Sequence, residues 1–305
     1  MNTTRISGVI DTIKTLAATI TIIGAGGAAD LILALARCGV GKFILIEFDI
    51  VTEANIARQG HYVDEIGRLK VEAVAAMIRR INPDAQIVCL PVNFLEMTDE
   101  EVDAQLRQTD LFIFATDRFA AQARGNEVAL RLHTPAIWIG LYAGGLAGEI
   151  VWWAPHIDAC FRCLLSKRYA AQAKAAEAGQ SLDPASDGCT IFDVSLLDSI
   201  AGMLAIGLIT RGSDNRFGRL IAGLGDRNFL QVQLDPSWSF NGRNILREQL
   251  GVTADCRAFF SWNTIVRADP DAGNLPCPDC EKFRGHLFVA HNGGFIRDQW
   301  QGTLG

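Results

Sequence analysis

Residues 18–39, ATITIIGAGGAADLILALARCG, constrain the fold more than any other part of this 305-residue chain. A β-branched apolar run stops at glycines, and an apolar stretch of helical length follows that Gly39 can end. Strand, tight glycine turn and helix in that order form the first half of a βαβ unit, whose turn lets backbone N–H groups approach a phosphate. KFILIEFD supplies the second buried strand. Residues 63–81 are amphipathic at helical spacing and stop before Asn82-Pro83, and AQIVCLPV reads as a third strand. The alternation continues through a polar helix over 98–107, the strand LFIFAT, a helix over 119–133 and the strand AIWIG. Strands that alternate with helices and are apolar on both faces predict an α/β fold, a mostly parallel sheet with helices on both sides.

The pattern changes after Gly140. GGLAGEIVWWAP reads as antiparallel strand material, followed by an Ala-rich helix over 166–178, the loop AGQSLDPASDG and an apolar helix over 192–210. Residues 211–275 are glycine-rich and aromatic with a short period, which predicts strands and turns. The expected organisation is one compact unit: a nucleotide-binding half over 1–165, a crossover loop and helix over 166–210, and a C-terminal elaboration over 211–305.

Composition narrows the classes. A chain 49% hydrophobic and 20% charged has the apolar surface for a full core, and a net charge of -6 carries no footprint for nucleic acid. Arg5, Asp11 and Lys14 interrupt any apolar leader in MNTTRISGVIDTIKTL, and no window of about 18 residues reads as a membrane span. The expected location is the cytoplasm. Eight cysteines there are better read as ligands, nucleophiles or core residues than as disulfides.

Gly24, Gly26 and Gly27 form the turn, and Glu47 ends the next strand where a ribose-binding acid is expected. Asn55, Arg58 and Lys70 follow it and can gather above the C-terminal edge of the sheet, where ligands of such folds bind. Two cations beside a glycine turn suit a polyphosphate. Asp117, at the end of LFIFATD, is a carboxylate on the same edge and suits magnesium, so the set favours ATP over a nicotinamide. Each charge taken alone has a plain reading as a solvated surface group.

Cys160 and Cys163 in CFRC, with Cys277 and Cys280 in CPDC, are two C-x-x-C units more than a hundred residues apart. Four thiolates in tetrahedral array make a closed structural zinc site that ties chain segments together. Neither pair follows a strand as a thioredoxin-like redox motif does. Cys38 and Cys89 read as core residues, Cys256 has no assigned role, and Trp152 and Trp153 read as packing near the zinc knot.

In order and spacing, GAGG, LARCGVGKFILIEFDIVTEANIARQ, EIGRLKVEA, INPDAQI, ATDRFAAQARGNEVAL and CFRCL resemble the ThiF/MoeB and ubiquitin-activating superfamily over residues 19–165, with a looser match to 210 and at CPDC. The resemblance implies a dimeric Rossmann-like domain that uses ATP and magnesium to adenylate the C-terminal glycine of a ubiquitin-like or sulfur-carrier protein. It implies that Gly24, Gly26 and Gly27 line the nucleotide and that Glu47 takes the ribose hydroxyls. It further gives the phosphates to Asn55, Arg58 and Lys70, magnesium to Asp117 and zinc to the four cysteines. Departures are Ala29 for the third glycine, Asp30 beside it, Gln122 for a customary arginine, and no recognisable Arg-Tyr-x-Arg-Gln segment, although Arg5 lies in that region.

Members that pass their substrate to a conjugating enzyme carry a nucleophilic cysteine before the helix corresponding to 192–210, and Cys189-Thr190-Ile191 resembles that pattern. Adenylation followed by thioester transfer through Cys189 is therefore the leading expectation. Adenylation of a sulfur-carrier protein for thiolation chemistry without a thioester, or a weakly catalytic binding subunit of a heterodimeric activating enzyme, are the alternatives.

Overall fold

The computed structural model describes residues 2–183, 188–235, 262–266 and 277–289. The central sheet has eight strands in the order β3-β2-β1-β4-β5-β6-β7-β8. β1 (Thr19–Ile23), β2 (Lys42–Ile46), β3 (Gln86–Leu90), β4 (Leu111–Phe114) and β5 (Ala136–Leu141) run parallel. β6 (Ala147–Trp153), β7 (Arg227–Gln233) and β8 (Trp262–Val266) continue the sheet antiparallel. The mostly parallel sheet and its antiparallel extension are as expected. Every residue of β1 and β4 is buried, the signature of strands covered on both faces, whereas edge strand β3 is half exposed.

α1 (Thr12–Ala17) precedes the sheet. α2 (Ala29–Arg37) follows the glycine turn, and after the short α3 (Glu53–Ile56) comes α4 (Lys70–Ile81). The stretch expected as one helix over 63–81 is broken. A 3-10 turn, Val63–Glu65, is followed by Gly67 with φ 87°, and the helix begins at Lys70. Gly67 permits the left-handed turn that places Lys70 at the sheet edge. α5 (Asp99–Leu106) and α6 (Phe119–Arg131) complete the alternation.

α7 (Phe161–Leu164), α8 (Ser166–Glu177) and α9 (Ile191–Ile209) come next. α9 corrects the expectation of no membrane-length helix: it is long and apolar enough to cross a bilayer. Here it serves as a core helix, half buried, packed on α2 and on β4, β5 and β6. α10 (Arg216–Leu224) corrects the reading of 211–275 as strands and turns. Asn215 caps it by accepting from the backbone N–H groups of Phe217 and Gly218, and its Phe217 and Ile221 pack against α9. α11 (Pro278–Val289) packs against α6. Cys256 lies outside the described residues. Cys38 and Cys89 are partly rather than fully buried, and burial pushes both thiols up.

Candidate functional site: a cleft at the strand ends

The C-terminal ends of β1, β2, β4 and β5 open into a cleft of about 680 Å³ lined by Gly24, Gly27, Glu47, Asn55, Arg58, Lys70, Asp117 and Cys189. Of the residues expected to hold nucleotide, only Gly26 is not on its wall, and its part is indirect. A Cβ on Gly26 would lie 2.5 Å from Lys70 Cδ and 3.2 Å from Nζ, so the bare glycine leaves room for the lysine to lie across the turn. Gly24 has φ 90°, and a Cβ there would meet the Ala115 carbonyl oxygen at 2.4 Å. That close approach brings the turn against the end of β4.

The N-cap of α2 is Ala28, which offers no side-chain acceptor to the first turn. Such amides suit a bound anion. One first-turn amide has a partner in the protein: Leu31 N–H donates to Asp198 Oδ2 at 3.3 Å. Burial holds the Asp198 carboxyl well above the usual carboxylate range, with the hydrogen bond from Leu31 opposing and nearby Asp30 reinforcing the shift.

Glu47 accepts from the backbone N–H groups of Phe48 (2.9 Å) and Asp49 (3.1 Å), which orient it at the strand end. Burial pushes its carboxyl upward. Asn55 Oδ1 accepts from the backbone N and Oγ1 of Thr52, which leaves its amide donors as the group it can offer a phosphate. Lys70 is buried, and its Nζ lies 3.2 Å from Asp49 Oδ2. Asp117 is exposed on the cleft wall. Gln122, where an arginine is customary, donates to the Thr116 carbonyl at 2.7 Å, and its own carbonyl accepts from Trp138 Nε1 at 3.0 Å. It fixes the loop that carries Asp117.

The crossover segment returns over this cleft. Asp183 accepts from Phe119 N–H at the start of α6, and Gly188 and Cys189 pack backbone to backbone against Gly144 and Gly145. Arg58 Nη1 donates to Cys189 Sγ at 3.4 Å. The cysteine is half buried, directly before Thr190, the N-cap of α9. The structure thus brings the thiol and the Arg58 guanidinium together, a pairing that local sequence does not reveal.

The four zinc-type cysteines also converge. Cys160 and Cys163 are buried with Cys277 and Cys280, their sulfurs all within 4.8 Å of one another and individual separations of 3.5, 3.7 and 3.8 Å. A tetrahedron with Zn–S of about 2.3 Å has edges of about 3.8 Å, so the set fits zinc. Burial pushes the Cys160 thiol up, so four thiolates together need a cation. Asn126 stitches the knot: Nδ2 donates to Asp279 at 2.7 Å and Oδ1 accepts from Phe161 N–H at 3.1 Å. Arg162 pairs with Asp279, and Arg284, 5.5 Å over the Trp153 ring, donates to the Asp158 carbonyl. Trp152 and Trp153 are buried packing residues, Trp153 beside the knot as expected.

Among the polar groups of the cleft that sequence reading missed are Asp198, Glu149 and Arg168. Glu149 and Asp198 were legible as charges bordering apolar runs, IVWW in the strand and IAGMLAIGL in the helix, whereas Arg168 follows Lys167 in a polar helix that carries no such signal.

The probable adenylyltransferase/sulfurtransferase MoeZ of Mycobacterium tuberculosis is 31% identical over 137 residues, 44% of this chain and 34% of that protein. Ubiquitin-like modifier-activating enzyme 5 of Bombyx mori is 30% identical over 154 residues, 48% of this chain and 39% of that protein. The chain matches little more than a third of the length of these relatives. In fold it is similar to E. coli MccB solved with MccA (TM-score 0.60, 16% identity, 88% of this chain and 68% of that one). It is also similar in fold to PaaA (TM-score 0.57, 17% identity, 74% and 72%). A family model described as the ThiF family matches residues 4–216, most of the chain, and the chain belongs to that family.

Proposed function

We propose that this protein is an ATP-dependent adenylyltransferase that activates the C-terminal glycine of a ubiquitin-like protein and passes the acyl group to Cys189. The observation that carries the reading is the convergence of Gly24, Glu47, Asn55, Arg58, Lys70, Asp117 and Cys189 on one cleft. A C-terminal carboxylate, with a pKa of about 3.5, is ionised at neutral pH and needs no general base to attack phosphorus. The difficulty is bringing one anion to another, so catalysis rests on positioning and charge. Arg58 and Lys70 neutralise the phosphates, and the Asn55 amide donates to them. Glu47 accepts from the ribose hydroxyls. Asp117 is the carboxylate that would hold magnesium, an ion that offsets charge on the triphosphate.

A carboxylate oxygen of the substrate bonds to the α-phosphorus as the bond to the β-phosphate oxygen breaks and pyrophosphate leaves. Cys189, having lost its proton to solvent, then bonds to the acyl carbon as AMP departs with the electrons of the broken carbon–oxygen bond of the acyl–phosphate anhydride. A mixture of this chain, ATP and the carrier should give an adduct that survives denaturation and dissolves in thiol. Cys189→Ala should keep pyrophosphate exchange and lose the adduct. Exchange without an adduct in wild type would instead support adenylation of a sulfur-carrier protein for thiolation without a thioester, the reading that the name of the MoeZ relative favours.

We place the protein in the cytoplasm as a homodimer. Exposed Phe48, Ile50, Tyr62, Val63 and Ile66 support the latter, lying on two segments that the Ile50–Leu69 bridge joins beside the cleft. Light scattering at twice the chain mass is the expected result. In the C-terminal half, the cysteine knot would hold zinc in a structural role.

A further inference from the structure

Asp198 of α9 is 5% exposed, and it lines the cleft together with Gly24, Gly27 and Val194. A carboxylate at that depth is costly unless a cation pairs with it, and among the described residues no lysine or arginine does. Its Oδ2 accepts from the N–H of Leu31, the third residue of α2, at 3.3 Å. The neighbouring acid is Asp30 of the same turn, whose Oδ2 accepts from Ser195 Oγ at 3.3 Å.

Burial holds the Asp198 carboxyl well above the usual carboxylate range, with Leu31 opposing and Asp30 reinforcing the shift, so the group keeps a proton where solvated carboxyls have lost theirs. Charges on the other elements packed on α9 are engaged elsewhere. Glu149 of β6 pairs with Arg168, Lys14 of α1 donates to the Arg211 carbonyl, and on α10 Arg219 pairs with Asp214 while Arg216 lies over the Phe217 ring. Across the cleft, Lys70 reaches Asp49 and Arg58 reaches Cys189. Only an unprotonated oxygen can accept from Leu31, so the proton of the acid resides on Oδ1, and Asp198 is a donor as well as an acceptor.

The loop that carries Arg58 lies against the same turn of α2. A Cβ on Gly60 would come within 2.4 Å of Asp30 Oδ1 and 3.4 Å of Ala29 Cβ, so the bare glycine permits the approach. Arg58, Asp198 and the first amides of α2 therefore share one end of the cleft. A carboxylate there would repel a phosphate, whereas a carboxylic acid gives it an O–H···O⁻ bond, among the shortest and strongest available.

Resting on the adenylation reading above, we propose that Asp198 is a further nucleotide contact, its carboxyl O–H donating to a phosphate oxygen at the start of α2. It positions the triphosphate alongside Arg58 and Lys70 and makes the grip proton-dependent, because loss of the proton turns a donor into a repelling anion. An acid that only capped α2 would serve as well ionised, and nucleotide would leave it undisturbed.

Infrared difference spectroscopy at neutral pH reads the proton directly. Wild type should show the carbonyl band of a protonated carboxyl that is absent in Asp198→Asn and shifts when α,β-methylene-ATP and magnesium are added. Asparagine can present its carbonyl to Leu31 and an amide N–H to the phosphate, so in calorimetric titration the nucleotide Kd of Asp198→Asn should stay within about threefold of wild type, whereas Asp198→Ala should raise it at least about tenfold. Above the pH at which the band disappears, the wild-type Kd should climb towards about tenfold per pH unit while that of Asp198→Asn stays level. No protonated-carboxyl band in wild type, a band that nucleotide leaves unmoved, an Asp198→Ala affinity within about twofold of wild type, or wild-type and Asp198→Asn affinities that run parallel with pH would each overturn the proposal while leaving the nucleotide site standing. A wild type that binds no nucleotide would overturn the adenylation reading and this one with it.

Discussion

At the scale of single residues, two glycines in one turn do different work. Gly24 combines φ 90° with a Cβ position 2.4 Å from a backbone carbonyl, whereas the neighbour of Gly26 is the aliphatic end of Lys70. Gly24→Ala should therefore destabilise the protein by about 2 kcal/mol or more, read as a drop in thermal midpoint. Gly26→Ala should leave that midpoint within about 2 °C, because a flexible side chain can move aside. It displaces the lysine amine from the turn, so pyrophosphate exchange should fall roughly tenfold. Equal effects of the two substitutions on stability would contradict this distinction. Both glycines were legible in GAGG, but the lysine lying across the second was not. Lys70 is more than forty residues away in sequence, and only the broken helix at Gly67 brings it there.

At the scale of elements, the alternation of apolar runs identified the parallel half of the sheet because a strand buried on both faces has few alternatives. Residues 63–81 kept their helical period across a break because the Val63–Glu65 turn and α4 both present apolar residues at helical spacing. α10 was missed because Gly218 and Gly223 lower its helix propensity, while packing on α9 and the Asn215 cap restore it. The α2–α9 contact carries a pH prediction. Asp198 has a folded-state pKa raised by burial, and an unfolded aspartate titrates near 3.9. Between those values the native state holds a proton that the unfolded chain has released, so stability is greatest below the unfolded pKa and falls as pH rises through the folded one. Asp198→Asn should flatten the decline of thermal midpoint above about pH 4 and raise the midpoint at neutral pH. A parallel decline in wild type and variant would show that Asp198 does not set the slope.

At the scale of the whole molecule, the cysteine knot joins α11 to α7, and through Asn126 and Asp279 to α6, the helix that follows the Asp117 loop. Cys277→Ser should abolish stoichiometric zinc by elemental analysis and destabilise the protein by on the order of 3 kcal/mol, about 6–12 °C in midpoint. The two C-x-x-C units suggested this tie, whereas the alignment of Gly140, Glu149 and Gln231 across β5, β6 and β7 depends on a three-strand register that no local pattern encodes. We read the cleft as a triphosphate grip serving adenylation. Its most direct measurement is ATP–pyrophosphate exchange against a panel of ubiquitin-fold proteins ending in glycine, with wild type and Arg58→Ala side by side. Exchange with at least one carrier, reduced about a hundredfold or more by the substitution, is the predicted result. Exchange at the wild-type rate without Arg58, or nicotinamide dinucleotide binding with no exchange against any carrier, would contradict the account.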